Sequence, residues 1–252
     1  TGINEIFKLG ISRLEVAKIA QSAEHHFVGA MVGVMDQYAS LFSKKDSVLL
    51  LDCKTLSHQH LPFNFPNYEI LLVDSTIKHS LTSSAYNDRR ESCETGVHLL
   101  NKKNATVRSL RDASRVMLFE QQDELGEEIF VKCLYVVEEN IRTQRAADLL
   151  KTGDLKGFGD LMYQTHWGLS QAYDVSCPEL DFLVSLAEEF RSEVIGSRMM
   201  GGGFGGCTIN IIQKERVSVF KEMVLAKYFA TFKKEPGFYS VKLSDGVHSV
   251  AV

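Results

Sequence analysis

The sequence predicts an α+β fold in two domains. From Tyr68 onward the predicted elements run strand, helices, strand, helix, strand, strand, which lacks the strand–helix alternation of a doubly wound sheet. Pro62 and Pro66, two of only four prolines, lie in the segment PFNFPNY and indicate a linker. A chain of 252 residues is long enough for two small domains. We therefore expect domains at residues 1–66 and 67–252.

The composition excludes several classes of protein. The hydrophobic fraction of 44% and charged fraction of 24% are those of an ordinary globular protein. A net charge of −4 gives no basic footprint for nucleic acid, and no apolar run reaches the length that spans a membrane. The five scattered cysteines contain no C-x-x-C, which favours free thiols over disulfides or a metal site. We expect a cytoplasmic protein with neither nucleic acid nor membrane as partner.

The first domain is predicted to begin with a helix within Thr1–His26, where Ser12 can act as a cap. Four apolar residues at helical spacing predict a short helix from about Met35 and are expected in the core: Met35, Tyr38, Ala39 and Phe42. Asp36 then lies on another face near the N-terminus of that helix, where the dipole favours a carboxylate. Its role is either charge complementarity with the helix or that of a general base.

Two short strands complete the first domain. Ser47–Cys53 and Ser57–Phe63 predict an antiparallel pair joined by a tight turn. His58 and His60 alternate on one face of the second strand. We interpret both histidines as surface residues of the strand rather than as metal ligands.

The second domain is predicted to begin with a buried strand over Tyr68–Asp74, because the run is almost continuously apolar. A polar segment rich in hydroxyl groups follows and leads into a charged helix that includes Asp88–Glu94. The charges of that helix are typical of a solvated face. Lys78 and Tyr86 are candidate functional residues, since both lie between the strand and the charged helix.

Helices dominate the middle of the second domain. Later elements are predicted in this order: helices over about Ser109–Gln121, Glu127–Lys151 and Leu155–Tyr173, a helix opened by Pro178, a strand over Cys207–Ile212, and a helix near Glu215–Phe232. A final hairpin is expected, with Phe238–Leu243 and Val247–Val252 as its strands.

A glycine-rich run separates two of these elements. Gly201–Gly206 contains five glycines, interrupted only by Phe204. Because glycine loses the most entropy on folding, such a run suggests positive φ angles or a close approach of backbone N–H groups to a ligand. The run contains G-x-G-x-x-G, but no Walker A string occurs in the chain. We predict a helix–glycine loop–strand arrangement, with a simple interdomain turn as the alternative.

Five segments, in their order and spacing, resemble those of galactokinases, within the superfamily that includes homoserine and mevalonate kinases. They are GVMDQ (Gly33–Gln37), LLLDC (Leu49–Cys53), IKHSLTSSAYNDRRESCE (Ile77–Glu94), SCPELD (Ser176–Asp181) and GSRMMGGGFGGCTI (Gly196–Ile209). Each is modest alone, and together they cover the chain. The resemblance implies the C-terminal part of the N-terminal kinase domain, followed by a complete ferredoxin-like α+β domain.

The resemblance also implies a reaction, the phosphorylation of the anomeric hydroxyl of galactose with ATP and Mg²⁺. Carried over by motif, Asp36 faces the sugar O1, Gly33 contacts the sugar through its backbone, and Tyr86 does so through its phenol. Lys78 is the cation near that carboxylate. The loop that closes over the active site supplies the implied nucleotide-binding residues, which are Gly201, Gly202, Gly203, Gly205 and Gly206. No metal ligand is assigned.

The sequence departs from the family in two ways. The family's N-terminal part, with its serine-rich phosphate loop, has no counterpart in these residues, and Met200 stands where many relatives have threonine. We expect this chain to be inactive alone, with apolar faces exposed in Thr1–His26 and Ser47–Phe63. Alternatives are a kinase for a related sugar such as N-acetylgalactosamine, or a sugar sensor without activity. Asp36 favours the enzyme, because a sensor needs no base. The oligomeric state is left open.

Overall fold

The computed structural model describes residues 1–29, 31–78 and 82–249, with backbone alone for residues 82–86. Contacts within the chain divide it into two units. The first unit is Thr1–Asn64 with the described part of Lys242–Val252, and the second is Phe65–Val241. The predicted domain boundary at residue 66 stays a prediction. No helix among the described residues is long and apolar enough to cross a bilayer.

The first unit contains three α-helices, a π-helical turn and one hairpin among its described residues. They are α1 (Gly2–Ile6), α2 (Arg13–Ala23), the π turn Glu24–Val28, α3 (Met35–Phe42), β1 (Ser47–Asp52) and β2 (Ser57–Pro62). The two strands pair antiparallel, as predicted, with Ser47 opposite Pro62 and Asp52 opposite Ser57.

The predicted first helix is broken in two. Lys8 and Gly10 adopt left-handed backbone conformations, with φ of 49° and 70°, and these end the first piece. Ser12 begins the second piece with a capping box. Its hydroxyl accepts from the Glu15 N–H at 3.2 Å, and the Glu15 carboxylate accepts from the Ser12 N–H at 2.9 Å. The predicted cap is thus confirmed, although the helix is shorter than expected.

The core of the first unit lies between α2, α3 and the hairpin. Its buried members are Ala17, Val34, Tyr38 and Leu41. Met35 was expected in this core, and that expectation is wrong, because 56% of Met35 is exposed. Tyr38 is buried as expected and Phe42 packs against the cluster, but Val34 and Leu41 occupy the core in place of Met35.

The C-terminal tail does not form the predicted hairpin. Phe238–Val241 pairs with β3 (Tyr68–Asp74) instead, and the described residues after it contain no strand. The Gly246 N–H donates to the Ser43 carbonyl at 2.8 Å, which ties the tail to the end of α3. The prediction is therefore wrong for the described residues, because the first predicted strand pairs with β3 and the second does not form a strand. Residues 250–252 lie outside the described part.

The second unit is built on a four-stranded sheet. Its elements are β3 (Tyr68–Asp74), α4 (Thr82–Lys103), α5 (Arg115–Glu120), α6 (Gln122–Thr152), α7 (Leu155–Gln171), α8 (Pro178–Glu189), β4 (Val194–Met199), β5 (Cys207–Gln213), the 3₁₀ turn Lys214–Arg216, α9 (Val217–Phe232) and β6 (Gly237–Val241). The strand order is β4-β5-β3-β6 and all pairs are antiparallel. This order and the strand–helix–strand–strand–helix–strand frame confirm the ferredoxin-like fold.

Strand β4 was not predicted, because polar Ser197 and Arg198 interrupt its apolar pattern. It lies against α7 at very short range. A Cβ on Gly159 of α7 would come within 2.0 Å of the Ile195 carbonyl, and a Cβ on Gly196 would come within 2.7 Å of the Gly159 Cα. Glycine at both positions therefore permits the helix to lie on the strand.

The main core of the second unit fills the space between the sheet and its helices. Its buried members are Leu71, Val73, Tyr163, Leu183, Val184, Leu186, Ala187, Val194, Ile212, Phe220, Val224 and Tyr228. Trp167 packs against this cluster, as a core aromatic. The Tyr228 hydroxyl donates to the Ser75 carbonyl at 2.8 Å, which fixes the chain as it leaves β3.

Candidate active site

Asp36 lies in the first turn of α3 and is exposed, as the sequence predicted. The helix beneath it is held by Tyr38, whose hydroxyl donates to the Leu56 carbonyl at 2.9 Å and lies 2.8 Å from His58 Nδ1. Among the described residues the Asp36 carboxylate has no hydrogen-bonded or ion-paired partner. A fixed helix thus presents an open carboxylate, which can accept a proton from a hydroxyl group.

Gly33 lies just before this helix and is also exposed. A Cβ at Gly33 would have no described atom within 4 Å. The backbone at this position is therefore accessible to a small molecule. The first unit brings Gly33 and Asp36 together at one end of α3.

The histidines of β2 have partners within the first unit. His58 contacts Tyr38, and His60 Nε2 lies 2.7 Å from the Phe42 carbonyl. Throughout the described ranges, no group of three or more His, Cys, Asp or Glu residues could hold a metal ion. The sequence predicts both histidines to be surface residues of the strand; His60 is exposed, whereas His58 is half-buried against Tyr38.

Lys78 lies in the second unit and is exposed. The backbone leading to it is tied to the glycine loop. The Ser75 N–H and hydroxyl donate to the Gly206 carbonyl at 2.9 and 2.7 Å, and the Gly206 N–H donates to the Ile77 carbonyl at 3.1 Å. The fold therefore places Lys78 beside the loop. The side chain of Tyr86 lies outside the described residues, and its backbone belongs to α4.

The glycine loop connects β4 to β5, so the predicted helix–loop–strand arrangement is wrong. Its inner part is buried against two backbone carbonyls. Gly203 has φ of +94°, and a Cβ there would lie 2.0 Å from the Val175 oxygen. Gly205 has φ of +133°, and a Cβ there would lie 2.6 Å from the Ile77 oxygen. Only glycine fits these two positions.

The outer part of the loop faces solvent. Gly201 and Gly202 are exposed, and a Cβ on Gly201 would meet no atom within 4 Å. Within the described ranges, neither of their N–H groups donates a hydrogen bond to the protein. Unused N–H groups in consecutive residues suit an anion such as a phosphate. The loop therefore divides into a buried half and an open half.

Two arginines hold the backbone near the loop. Arg89 Nε donates to the Tyr173 carbonyl at 3.0 Å, and Arg89 Nη2 donates to the Asp174 carboxylate at 2.7 Å. Arg198 Nη1 donates to the Met199 carbonyl at 2.9 Å. Burial lowers the pKa of Arg198, and the nearby Glu139 acts in the opposite direction. The sequence assigned Arg89 to a solvated helix face, and that interpretation is wrong for this residue, because its side chain is only 14% exposed. Arg198 belongs to the family segment that contains the glycines, but no role was predicted for it from the sequence.

A polar cluster surrounds Asp181, and within it His166 is fully buried. Asp181 accepts hydrogen bonds from Ser170 and Ser176, and its Oδ1 lies 3.2 Å from His166 Nε2. Burial acts to raise the pKa of Asp181, but the contacts with His166, Ser176 and Ser170 outweigh it, so this pKa lies below its ordinary value. Ser176 and Asp181 belong to the SCPELD motif of the sequence. His166 gave no signal, because it lies within a continuous helix.

Comparisons with known proteins place the chain among sugar and small-molecule kinases. The family description "GHMP kinases N terminal domain" matches residues 1–44, and "GHMP kinases C terminal" matches residues 146–231. The galactokinase of Clostridium acetobutylicum is 40% identical over 99% of this chain and 64% of its own length. That of Thermosipho africanus is 38% identical over 98% of this chain and 68% of its own length.

Two solved structures are similar. The galactokinase of Lactococcus lactis, complexed with galactose, is 29% identical with a TM-score of 0.92, over 97% of this chain and 63% of that one. The mevalonate kinase of L. major, in complex with R-mevalonate, is 19% identical with a TM-score of 0.55, which shows the fold alone. The chain thus spans about two thirds of the length of these relatives, between 62% and 68% for the galactokinase sequences compared.

Proposed function

The chain belongs to the galactokinase family, and on that basis we propose that it forms the larger part of an enzyme that phosphorylates galactose. In this reaction the γ-phosphoryl group of ATP passes to the anomeric hydroxyl and gives galactose 1-phosphate. The observation that carries the proposal is the open carboxylate of Asp36, which lies in the family's motif on a helix fixed from below. Such an enzyme acts on soluble substrates, and we propose a cytoplasmic location.

Asp36 takes the proton of the sugar O1 or holds that hydroxyl in line with the phosphoryl group. Gly33, immediately before the helix, leaves its backbone open to the sugar. We assign a sugar contact to Tyr86 as well, from its place in the family motif.

Lys78 and the glycine loop are the residues of the second unit to which we assign a role in phosphoryl transfer. Phosphoryl transfer requires mainly positioning and neutralisation of charge, which a lysine and a set of backbone N–H groups can supply. The hydrogen bonds between Gly206 and the Ser75–Ile77 segment hold the cation and the loop in a fixed relation. We propose that Gly201 and Gly202 face the nucleotide, and that Gly203, Gly205 and Gly206 shape the loop.

ATP enters this reaction as its magnesium complex. Mg²⁺ in phosphoryl-transfer enzymes is bound largely by the phosphates of the substrate and by water, with one or two carboxylates. The described residues contain no cluster of three or more potential ligands.

The decisive experiment compares turnover with binding in a protein of the relatives' full length that contains this chain. Formation of galactose 1-phosphate from ATP and galactose is measured beside calorimetric binding of galactose. Asp36→Asn keeps the shape and removes the charge, so we expect kcat to fall by about 10²–10⁴-fold while sugar binding stays nearly unchanged. Asp46→Asn, an exposed aspartate of the same unit, is the matched control and should keep its activity.

Other outcomes separate the alternatives. Binding of galactose without any product would indicate a sensor, and a higher kcat/KM with N-acetylgalactosamine would indicate a kinase for that sugar. If Asp36→Asn keeps kcat and loses only affinity, Asp36 is a binding residue and not the base. The 252-residue chain by itself is expected to show negligible turnover.

A further inference from the structure

Asp181 lies in the first turn of α8, three residues after Pro178, where the helix dipole favours its negative charge. Its carboxylate accepts hydrogen bonds from two different segments. One oxygen accepts the Ser170 hydroxyl of α7 at 2.7 Å, and the other accepts the hydroxyl of Ser176, which lies before α8. The phosphorylation chemistry proposed above makes no use of Asp181.

His166 connects Asp181 to the beginning of the glycine loop. The ring is fully buried, and its Nδ1 accepts the Met199 N–H at 3.2 Å. Met199 is the last residue of β4, so this bond holds the strand where the loop starts. Because Nδ1 must accept, the proton of the neutral ring is on Nε2.

The Nε2 atom lies 3.2 Å from Asp181 Oδ1, within the range of a charge contact but without the alignment of a true hydrogen bond. The negative charge of Asp181 still favours a proton on Nε2. Asp181 thereby stabilises the one ring tautomer that can accept from Met199.

Ser176 connects Asp181 to the middle of the loop. The neighbouring residue is Val175, whose carbonyl accepts the Phe204 N–H at 2.6 Å. The same carbonyl is the atom that a Cβ on Gly203 would strike. The bond from Ser176 to Asp181 therefore fixes the surface on which the buried half of the loop rests.

We infer that Asp181 is a positioning residue, which holds the glycine loop at its start through His166 and at its middle through Ser176. A single carboxylate then sets the distance between two loop supports that come from different parts of the chain. Loss of this carboxylate removes the charge beside the buried imidazole and an acceptor for the two serine hydroxyls, and buried polar groups that lose a partner destabilise their surroundings. The segments that respond are those that these contacts support, at Met199 and at Phe204.

Hydrogen exchange of individual amides in the 252-residue chain tests this inference without reference to activity. We expect Asp181→Asn to accelerate exchange at both Met199 and Phe204 by at least about tenfold, relative to amides of the central strand β3. His166→Phe should act mainly at Met199, and Ser176→Ala mainly at Phe204. The strand amides in the same sample show whether a variant is folded.

Tyr163→Phe is the matched control. It removes a buried hydroxyl that donates to the Val194 carbonyl at 2.7 Å, at the opposite end of β4. This variant should leave exchange at Met199 and Phe204 unchanged relative to β3. If Asp181→Asn and Tyr163→Phe give the same pattern, or if Ser176→Ala and His166→Phe do not differ in their target amide, the inference is overturned.

The kinetic consequence rests on the proposed function. In a protein of the relatives' full length, Asp181→Asn should lower kcat/KM for ATP by about 10–100-fold, because a displacement of the loop by about 1 Å has such an effect. Galactose affinity should stay the same. If the loop amides respond in the variants but the wild-type protein shows no kinase activity, the positioning role stands and the proposed function fails. If kinase activity is present and the amides do not respond, the proposed function stands and the positioning role of Asp181 fails.

Discussion

The two units of this chain differ in how completely each buries its own apolar surface. The first unit has a sheet of only two strands, and such a hairpin is marginally stable without further packing. The second unit has four strands covered by long helices and a much larger buried cluster. The first unit therefore depends more strongly on additional contacts.

The exposed side chains show the same difference. In the first unit Phe27 is 93% exposed and Ile6 is 76% exposed. Further large apolar residues of that unit are exposed as well: Ile3, Phe7, Leu9, Ile19 and Val28. The second unit is more than twice as long, and fewer large apolar side chains are exposed among its described residues.

The comparison separates two kinds of proposed functional residue. Asp36 lies on the first unit, which buries its apolar surface less completely, and its exposed side chain makes no described contact that stabilises the fold. The glycine loop lies on the more complete unit, and the atoms that shape it also pack the fold. We therefore expect substitutions at Asp36 to change activity alone, whereas substitutions in the buried half of the loop change stability and activity together.

The largest effect should come from Gly203→Ala. The backbone strain of a side chain at φ of +94° costs about 1–3 kcal/mol, and the overlap with the Val175 carbonyl adds to it. Gly201→Ala is the control, since its φ is +79° but its surroundings are open, and it should cost about 1 kcal/mol. Urea unfolding of the second unit measures both. Equal losses of unfolding free energy in the two variants would show that the contact with the Val175 carbonyl is unimportant.

Gly202→Ala extends this series to the open half of the loop. Gly202 is exposed and does not have a positive φ, so stability should change little. Catalysis in the full-length protein should nevertheless fall, because the added methyl group lies where we propose that the nucleotide approaches. Unchanged activity in both Gly202→Ala and Gly203→Ala would reduce the loop to a simple turn.

The exposed apolar surface of the first unit should cause the 252-residue chain to associate. Replacing Ile6 and Phe7 with lysine removes two large contacts, each worth about 1.5–3 kcal/mol when fully buried, so self-association should weaken by more than about tenfold. Sedimentation velocity over a range of concentrations measures this. Ile141→Lys, at an exposed site of the second unit, should have little effect. A wild-type chain that stays monomeric at high concentration would contradict the prediction.

Lys78→Met tests the cation of the second unit. We expect kcat in the full-length protein to fall by up to about 10²-fold, less than for Asp36→Asn, because one charge is lost near the transferred phosphoryl group. Thermal stability should stay within about 0.5 kcal/mol, since Lys78 is exposed. Lys234→Met, also exposed on this unit, should retain full activity. An equal loss in both lysine variants would point to net charge rather than to a local role.

The smallest effects come from two buried tyrosines, one in each unit. Tyr38 donates to the Leu56 carbonyl at 2.9 Å, and Tyr228 donates to the Ser75 carbonyl at 2.8 Å. Removal of either hydroxyl should cost about 0.5–1.5 kcal/mol. Tyr38→Phe should lower only the transition of the first unit and Tyr228→Phe only that of the second. A single transition shifted by both variants would show that the units unfold together.

Alkaline pH gives a further test of the first unit. Burial raises the pKa of Tyr38 above its ordinary value of 10.0. The unfolded chain then loses this proton before the folded chain does, so stability falls as pH rises through and above 10. Tyr38→Phe should reduce this loss for the first unit. An identical pH dependence in the variant would place the effect on other groups.

Local signals in the sequence were sufficient for many elements. Ser12 with Glu15 specifies a helix start through its own hydrogen bonds, and Pro178 specifies another through its fixed φ. The apolar run of β3 and the turn between β1 and β2 were equally clear. These features depend on residues a few positions apart, which is why pattern and propensity predict them.

Strand β4 and the tail were beyond such reasoning. The strand contains Gly196 because α7 lies directly against it, and nothing near Gly196 in the sequence indicates that helix. The tail is held by the Ser43 carbonyl, which is distant in the chain, rather than by a hairpin partner. Both depend on contacts between remote segments.

The sequence by itself determined the family, the place of Asp36 at the start of a helix, and the presence of a constrained glycine loop. Only the tertiary structure decided the part that each glycine plays, since Gly203 and Gly205 lie against the carbonyls of Val175 and Ile77. It also decided that His166 supports the loop. The physical reason is that a glycine packed on a carbonyl, or a histidine that accepts one N–H, matches a partner far away in the chain and leaves no periodic pattern around itself.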